Sequence, residues 1–450
     1  MTVTIFHADC IDALKTLPDN FVDSIVTDPP YGLSDHKPED VVKCLTAWLN
    51  DEPYTHGKKG FMGKSWDSFV PGPEIWKEAL RVLKPGGHLL CFAGTRSMDL
   101  MSMAIRLAGF ELRDSIGFAH DSGSAPISAW ICGSGMPKGL NISKQIDKKL
   151  GKERKVIGVD ETRLRPNRKY ESGAIGNLGG NGNISDRTDN GATITAPALD
   201  EAKQWEGWNS SLKPAWEPIV MARKPLIGTI VDNVLEYGVG GLNIDACRIP
   251  IDPELDDPRL GGKGTWGTGK MAKNVYAGGY SGEEVGSSAL GRFPANVIHD
   301  GSDEVLAAFD AYGVKTSGTA GVRQKEHETH SMSGRMNKTG EKEVGYADTG
   351  SASRFFYAAK ASAKDRQGSK HPTIKNLSLM RYLVKLVTPK GGTVLDPFAG
   401  SGTTGQAAVE EGCNVILMER EDEYVADIQH RLNLFLDGNP ISLAHGDRSL

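Results

Sequence analysis

The sequence predicts an α/β protein built on a parallel sheet, with long insertions in the middle of the chain. Up to residue 140, apolar β-branched runs alternate with segments of helical spacing, and the alternation returns in the last ninety residues. That is the pattern of helices packed on both faces of a parallel sheet. Two of the runs end in motifs that stop a strand, Thr27-Asp28-Pro29-Pro30-Tyr31-Gly32 and Asp396-Pro397-Phe398-Ala399-Gly400-Ser401-Gly402-Thr403-Thr404. Between them the composition changes. The chain holds 54 Gly in 450 residues, against a usual share of about 7%, and the excess is concentrated at 171–191 and 252–291.

Taken in order, Thr4-Ile5-Phe6-His7 reads as a short strand, Asp9 follows, and 11–14 opens a helix before Pro18. Residues 21–26 form an apolar strand that two prolines then end, because each removes a backbone donor and fixes φ. Residues 33–72 read as a long polar connection carrying Trp48, Tyr54, Phe61 and Trp66; a connection of that length is more often functional than a spacer. Residues 73–84 have helical spacing with proline near the start. Pro85-Gly86-Gly87 ends that helix, 88–92 is a buried-type strand, and 97–107 is a helix stopped by Gly109. Strand candidates follow at 110–118 and 128–132.

The insertions come next. Residues 148–170 hold nine Lys or Arg against Glu153, Asp160 and Glu161, and 171–191 hold six glycines. A basic segment beside a glycine loop is a candidate phosphate-binding insertion, weighed against a plain solvated face. The α/β pattern resumes with a strand at 218–222, a helix at 228–236 and a short strand near Leu242-Asn243-Ile244. Residues 252–291 hold ten glycines, 293–298 read as a strand, and 312–350 read as a loop. His327 and His330 have no partner cluster and read as surface residues. The last stretch is the clearest: an amphipathic helix at Leu377–Val387, a strand at 393–395, a glycine turn into a helix at 404–411, a strand at 414–418 ending at Glu419, and a helix at 422–435.

Composition sets limits. Net charge is −5, so the chain as a whole is no basic coat for a polyanion, and such a site must be local. No run approaches the roughly 18 apolar residues of a membrane span, and the N-terminus lacks the basic and apolar regions of a signal peptide. The six cysteines (10, 44, 91, 132, 247, 413) are scattered without a Cys-x-x-Cys pair, so neither a zinc site nor a disulfide framework is expected and a reducing cytoplasm is the expected location.

The first motif puts a carboxylate, two rigid residues and an aromatic ring at a strand's carboxyl end, the edge where ligands bind in α/β sheets. Asp28 can accept from an amino group, the Pro29 carbonyl is a second acceptor, and Tyr31 can stack on a flat ring. The pocket suits a planar heterocycle with an exocyclic NH2, such as adenine or cytosine. The bland alternative is a proline turn capping a surface strand. The second motif is a strand, a glycine turn and a helix, with an acid, Glu419, 19 positions beyond Gly400. Glycines allow close approach of a ligand, the helix N-terminus offers N–H groups and a positive dipole end, and such an acid suits ribose hydroxyls. No lysine follows Gly402, which excludes a P-loop. Gly400, Gly402 and Gly405 also fit a dinucleotide turn, which the turn alone leaves open.

Together, Asp28-Pro29-Pro30-Tyr31-Gly32 and Asp396-Pro397-Phe398-Ala399-Gly400-Ser401-Gly402-Thr403-Thr404 resemble the catalytic and S-adenosylmethionine motifs of the DNA amino-methyltransferases. Their order, catalytic motif first, is that of the β-type. The resemblance covers roughly 1–140 and 354–435, with weaker stretches at Pro214-Ala215-Trp216-Glu217-Pro218 and at 291–296. It implies a Rossmann-like S-adenosylmethionine-dependent methyltransferase sheet of about seven strands, circularly permuted, with large target-recognition insertions. On that reading 1–140 is the catalytic half, 141–350 carries the insertions and target recognition, and 351–450 is the cofactor half.

The resemblance further implies that Asp28, Pro29, Pro30 and Tyr31 form the target-base pocket. Asp396, Phe398, Gly400, Ser401, Gly402 and Thr403 would hold the methionine end of S-adenosylmethionine, Glu419 the ribose, and Asp9 the adenine side. His371-Pro372-Thr373-Ile374-Lys375 resembles the segment before the cofactor strand, with Asn376 in place of a proline. The implied activity is methylation of N6 of a flipped adenine in DNA, with N4 of cytosine as the alternative and, from another class, a catalytically silent DNA-binding protein. Related proline motifs also occur in RNA and protein amide methyltransferases. No metal is expected. DNA is the expected partner and no membrane is, and the resemblance leaves room for a homodimer and a cognate restriction enzyme.

Overall fold

A computed structural model describes residues 1–34, 36–58, 60, 67–113, 129–131, 140–159, 193–210, 216–250, 291–311, 313, 315–316, 349–359, 365, 367–369, 374–434 and 441–445. In chain order these form β1 (Val3–His7), α1 (Cys10–Thr16), β2 (Val22–Thr27), α2 (Pro38–Leu49), α3 (Pro73–Val82), β3 (Leu83–Phe92), α4 (Met98–Leu107), β4 (Glu111–Leu112) and β5 (Ala129–Ile131). The middle of the chain adds α5 (Ile142–Lys149), β6 (Lys155–Val159), β7 (Thr193–Ala196), α6 (Asp200–Lys203), β8 (Trp216–Arg223), α7 (Ile230–Tyr237), β9 (Val297–His299), α8 (Asp303–Asp310), β10 (Lys315–Thr316), β11 (Thr349–Gly350) and β12 (Tyr357–Ala358). The last part holds α9 (Leu377–Val387), β13 (Thr393–Asp396), α10 (Thr403–Glu410), β14 (Asn414–Glu419), α11 (Asp422–Asn433) and β15 (Ile441–His445).

Eleven strands form one sheet in the order β12-β9-β5-β8-β3-β2-β13-β14-β1-β15, with β4 also paired to β8. The sheet is mixed, not all-parallel. Strand β8 runs antiparallel to β3, β4 and β5, and the other pairs are parallel. It is also wider than the seven or so strands expected, because β5, β9 and β12 continue it beyond β8 and β15 adds an edge beyond β1.

Side chains alternate across a strand, and this sheet sends each alternate to a separate core. Val26, Leu90, Phe92, Ile219, Met221, Val394, Val415 and Leu417 face one core with the buried sides of α9, α10 and α11. Ile25, Leu89, Cys91, Val220, Ala222, Leu395, Ile416 and Met418 face the other with α1, α3 and α4. Both faces are therefore covered, as the strand–helix alternation predicts. Truncating such a residue, Leu90→Ala for example, costs about 2–5 kcal/mol.

Three elements differ from the sequence reading. Residues 38–49 of the expected connection are the helix α2, with Cys44 and Trp48 buried and Asp40 accepting from the Lys37 N–H. Pro85-Gly86-Gly87 lies inside β3 instead of ending a helix: Gly86 takes φ +76° and its N–H donates to the Lys224 carbonyl, while the Lys224 N–H donates to Gly87. The extra residues are absorbed as a register shift between Val22 and Ser24. Leu242-Asn243-Ile244 is no strand; the Asn243 N–H donates to the Leu386 carbonyl at the end of α9 and the chain enters a 3-10 turn, Asp245–Cys247.

The glycine stretches 171–191 and 252–290, the loop 317–348 with His327 and His330, residues 160–170 of the basic segment, and Phe61 and Trp66 lie outside the described residues. Among the described residues no helix is long and apolar enough to cross a membrane, and no group of three or more His, Cys, Asp or Glu is placed to hold a metal ion.

Candidate active site

Strand β2 lies between β3 and β13, and β13 lies between β2 and β14. From β2 the chain moves on to β3 at one side, and from β13 to β14 at the other. The gap between the carboxyl ends of β2 and β13 is therefore a topological switch point, where open α/β sheets bind ligands. Asp28 directly follows β2, and Asp396 is the last residue of β13. Thr27 bridges them, donating from Oγ1 to Asp396 Oδ1 at 2.6 Å.

The turn after β2 is fixed from several sides. Gly32 takes φ +64°, and its N–H donates to Asp67 Oδ1 at 3.0 Å. A Cβ there would stand 2.8 Å from the Val70 nitrogen, so only glycine fits. Ser97 Oγ, just before α4, donates to the Tyr31 carbonyl at 2.5 Å. Pro29 is buried, while Asp28, Pro30 and Tyr31 are half-buried.

The side chains of Asp28 and Tyr31 join a network that includes two further residues. The Tyr31 hydroxyl lies 2.7 Å from both Asp28 Oδ1 and Glu217 Oε1. Lys375 Nζ lies 2.8 Å from the Tyr31 hydroxyl, 2.7 Å from Glu217 Oε1 and 3.1 Å from Asp28 Oδ1. It also sits over the Phe92 ring, 4.4 Å from the centroid. Burial raises the Asp28 carboxyl above its usual range; the Lys375 ammonium pulls it back, and Glu217 adds to the rise. Burial works against the Lys375 ammonium, but Asp28 and Glu217 outweigh it and keep it charged. Burial, then Asp28 and Glu217, hold the Tyr31 phenol protonated.

The sequence motifs do not place Lys375 and Glu217 here. Lys375 directly precedes α9, where Asn376, standing in place of a proline, caps the helix by accepting from the Leu379 N–H at 3.0 Å. Residues 371–373 before it lie outside the described residues. Glu217 is on β8, the antiparallel strand. Both fall in stretches that the family resemblance singles out, but nothing local to either shows that it reaches Asp28.

The second motif lies beside the first. Asp396 is 1% exposed, and burial pushes its carboxyl up to about 6, against hydrogen bonds from Thr27, Thr404 and the Phe398 N–H. Phe398 is half-buried and tilted against Trp76 at 6.1 Å. Gly400 and Gly402 take φ +52° and +77°, and Ser401 and Thr403 are buried where α10 begins. Glu419, at the end of β14, accepts from the Gly400 N–H on Oε2 and from the Arg420 and Glu421 N–H groups on Oε1, each at 2.9 Å. Burial raises its carboxyl and these three donors lower it.

Asp9 lies one strand over. Its side chain caps α1 by accepting from the Ile11 N–H at 3.0 Å, and its other oxygen is 4.0 Å from Arg420. The register pair His7–Glu419 brings the ends of β1 and β14 together. The ends of β1, β2, β13 and β14 thus bring together Asp9, Asp28, Tyr31, Asp396 and Glu419, with a hydrogen-bonded cluster at β2 beside a carboxylate-bearing turn at β13 and β14.

A family model for N6/N4 methyltransferases, described as DNA methylase, matches residues 22–430. Among curated proteins, the chain is 42% identical over 71 residues to the Type II methyltransferase M.BglI of Bacillus subtilis, covering 16% of this chain and 19% of that one. It is 40% identical over 74 residues to the Type II methyltransferase M.HinfI of Haemophilus influenzae, covering 16% and 21%. The chain spans about a fifth of the length of these curated relatives. Among solved structures, the complex of M1.HpyAVI with SAM overlays with a TM-score of 0.36 at 14% identity, covering 96% of this chain and 100% of that one. The cytosine-N4-specific PvuII DNA methyltransferase overlays with a TM-score of 0.38 at 13% identity, covering 98% and 89%. The family match runs through both Asp28 and Asp396, and the chain belongs to the N6/N4 DNA methylase family.

Proposed function

We propose that the chain is a DNA methyltransferase that moves a methyl group from S-adenosylmethionine to the exocyclic N6 of a flipped adenine. The observation that supports this reading is the Thr27–Asp396 contact, which ties the residue before Asp28 to the strand end that leads into the glycine turn. Methyl transfer requires acceptor and donor pockets to be neighbours.

The donor set fits the cofactor. Glu419 is held rigid by three backbone N–H groups and, as a carboxylate, retains acceptor capacity for a ribose hydroxyl. Residues Asp396, Phe398, Gly400, Ser401, Gly402 and Thr403 would hold the methionine end, and Asp9 would lie on the adenine side. When bound, S-adenosylmethionine supplies an electrophilic methyl group on a sulfonium.

On the base side, Asp28 and the Pro29 carbonyl would accept the two amino protons. That favours a more tetrahedral nitrogen and stabilises the positive charge that grows on it. Stacking on Tyr31 would offset part of the few kcal/mol that unstacking the base costs. An aspartate at the first motif position leans to adenine, and the same pocket chemistry serves N4 of cytosine.

The test is DNA from a methylation-free host expressing this chain, read by single-molecule sequencing with nucleoside mass spectrometry. N6-methyladenine at a defined sequence is the expected result. N4-methylcytosine would move the target base, and DNA binding without any methylated base would leave a silent binding protein.

A further inference from the structure

The four-residue cluster contains a second carboxylate that methyl transfer, as derived above, does not use. Resting on that reading of the site, we propose that Asp28, Tyr31 and Glu217 form a proton exit, in which the proton lost by the methylated nitrogen passes to Asp28 and on through the Tyr31 hydroxyl to Glu217.

The geometry comes first. The Tyr31 oxygen sits between the two carboxylates, 2.7 Å from each, yet a phenol has one proton to give. At any moment it donates to one carboxylate, and the other is free to hand it a proton. Lys375 has three N–H protons and three acceptors in reach, Asp28, Tyr31 and Glu217, so it holds all three in line without itself lying in the path. Both carboxylate side chains are about one-fifth exposed, 19% for Asp28 and 21% for Glu217. When the target base covers Asp28, Glu217 remains as the route to water.

Charge gives the second argument. One ammonium and two carboxylates leave the cluster at a net −1, opposite to the positive charge that arrives with the methyl donor. As the amino nitrogen's lone pair forms the bond to carbon, the carbon–sulfur bond breaks and its electron pair stays on sulfur. The nitrogen then carries the positive charge and gives its proton to Asp28 Oδ1. The Tyr31 oxygen takes that proton while its own passes to Glu217 Oε1. The cluster ends neutral beside a neutral sulfur, so no uncompensated charge is left buried at either stage. The groups facing Asp28 are Lys375, Tyr31 and Glu217, with Asp396 and Cys91 close enough to feel its charge. Burial and Glu217 raise its carboxyl against the pull of Lys375, so this carboxylate takes up a proton more readily than a free one.

Glu217→Gln tests the relay, because the amide still accepts a hydrogen bond from Tyr31 and Lys375 but takes no proton. Methyl transfer and proton release are followed together in one turnover, the latter with a pH indicator in weak buffer. The parent should release its proton in step with transfer. In the variant, proton release should lag methyl transfer at least tenfold, and kcat should show the same lag with a larger solvent deuterium effect. Tyr31→Phe, which removes the bridging oxygen, should show the lag as well. Proton release in step with transfer in Glu217→Gln overturns the proposal. Equal loss of transfer rate and kcat also overturns it and leaves Glu217 as a positioning residue. If the parent itself methylates no DNA, the proposed function fails instead.

Discussion

Thr27 Oγ1 and Asp396 Oδ1, 2.6 Å apart, join the last residue of β2 to the last residue of β13. The contact ties the turn after β2 to the glycine turn after β13. Asp28 is the next residue beyond Thr27, and the Phe398 N–H donates to the same Asp396 oxygen at 3.0 Å. A shift of either strand end would move both turns.

Asp28→Ala should abolish transfer while cofactor binding survives. Asp28 belongs to the cluster at β2, and the turn at β13 makes its own contacts. Loss of hydrogen bonding to a developing charge costs about 2.7–4 kcal/mol, or roughly 10²–10³ in rate. Lys375 keeps Glu217 as a partner in this variant, so the fold should hold. The measurement pairs methylation rates with calorimetry for S-adenosylmethionine. A variant that methylates DNA at parent speed would remove Asp28 from the chemistry.

Asp396→Asn should stabilise the protein at neutral pH while weakening its cofactor site. The carboxyl is raised from 3.8 to about 6 in the folded state. A folded-state pKa raised above the unfolded one contributes stability that is full below the unfolded pKa and is lost as pH rises through the folded one. Above pH 6 the buried carboxylate therefore costs on the order of 3 kcal/mol, at 1.36 kcal/mol per pKa unit. Asparagine keeps an acceptor for Thr27 and the Phe398 N–H without the charge. Melting temperatures across pH 4–8 should show the variant's advantage grow from about pH 4 and level off above about pH 6. An equal difference at every pH would assign the effect to packing.

How much of this was legible in the sequence depends on how local each feature is. The strand, turn, helix, strand and acid from Thr393 to Glu419 are contiguous, and the sequence predicts their bounds to within a residue or so. The two motifs are likewise local, and each ends a strand of the same sheet. The direction of β8 is not legible, because composition is the same for a parallel and an antiparallel strand. Helix α2 could have been found, since Val41, Cys44, Leu45 and Trp48 follow helical spacing inside a polar stretch. Lys375 and Glu217 reach Tyr31 across 344 and 186 positions. Only the folded sheet brings them together.

Gly400→Val should weaken S-adenosylmethionine binding at least tenfold and lower the melting temperature by a few degrees. Gly400 takes φ +52°, a conformation that costs a β-branched residue about 1–2 kcal/mol. Its N–H is also one of the three that fix Glu419. Gly402→Val is the less clean variant, because a Cβ there stands 3.1 Å from Ile428 in α11 and disturbs packing as well. Calorimetry on Gly400→Val decides. Unchanged affinity would mean that the turn serves the fold alone.

The last prediction concerns the basic segment that begins in α5. Arg154 is removed from its pool of free charge: the guanidinium is bound to Ser143, Asp147, Thr195 and Glu206 and holds the β6–β7 pair against α5. Lys148, Lys149 and Lys152 are exposed, at the end of α5 and just beyond it. Arg165 and Arg168 lie outside the described residues. If the three lysines touch DNA phosphates, Lys148→Gln, Lys149→Gln and Lys152→Gln together should weaken binding about equally on all sequences. Each lost contact should flatten the slope of log affinity against log salt by roughly 0.9, so up to about 2.7 for three. The methylated sequence should not change, because phosphate contacts position a protein and base-edge contacts specify its site. Lysines at a helix C-terminus also favour the helix dipole, worth a few tenths of a kcal/mol, and that role alone would leave the salt slope untouched. DNA affinity of parent and triple variant at several salt concentrations separates the two. Identical slopes make this a solvated helix end, and an altered target sequence makes the segment a reader of bases.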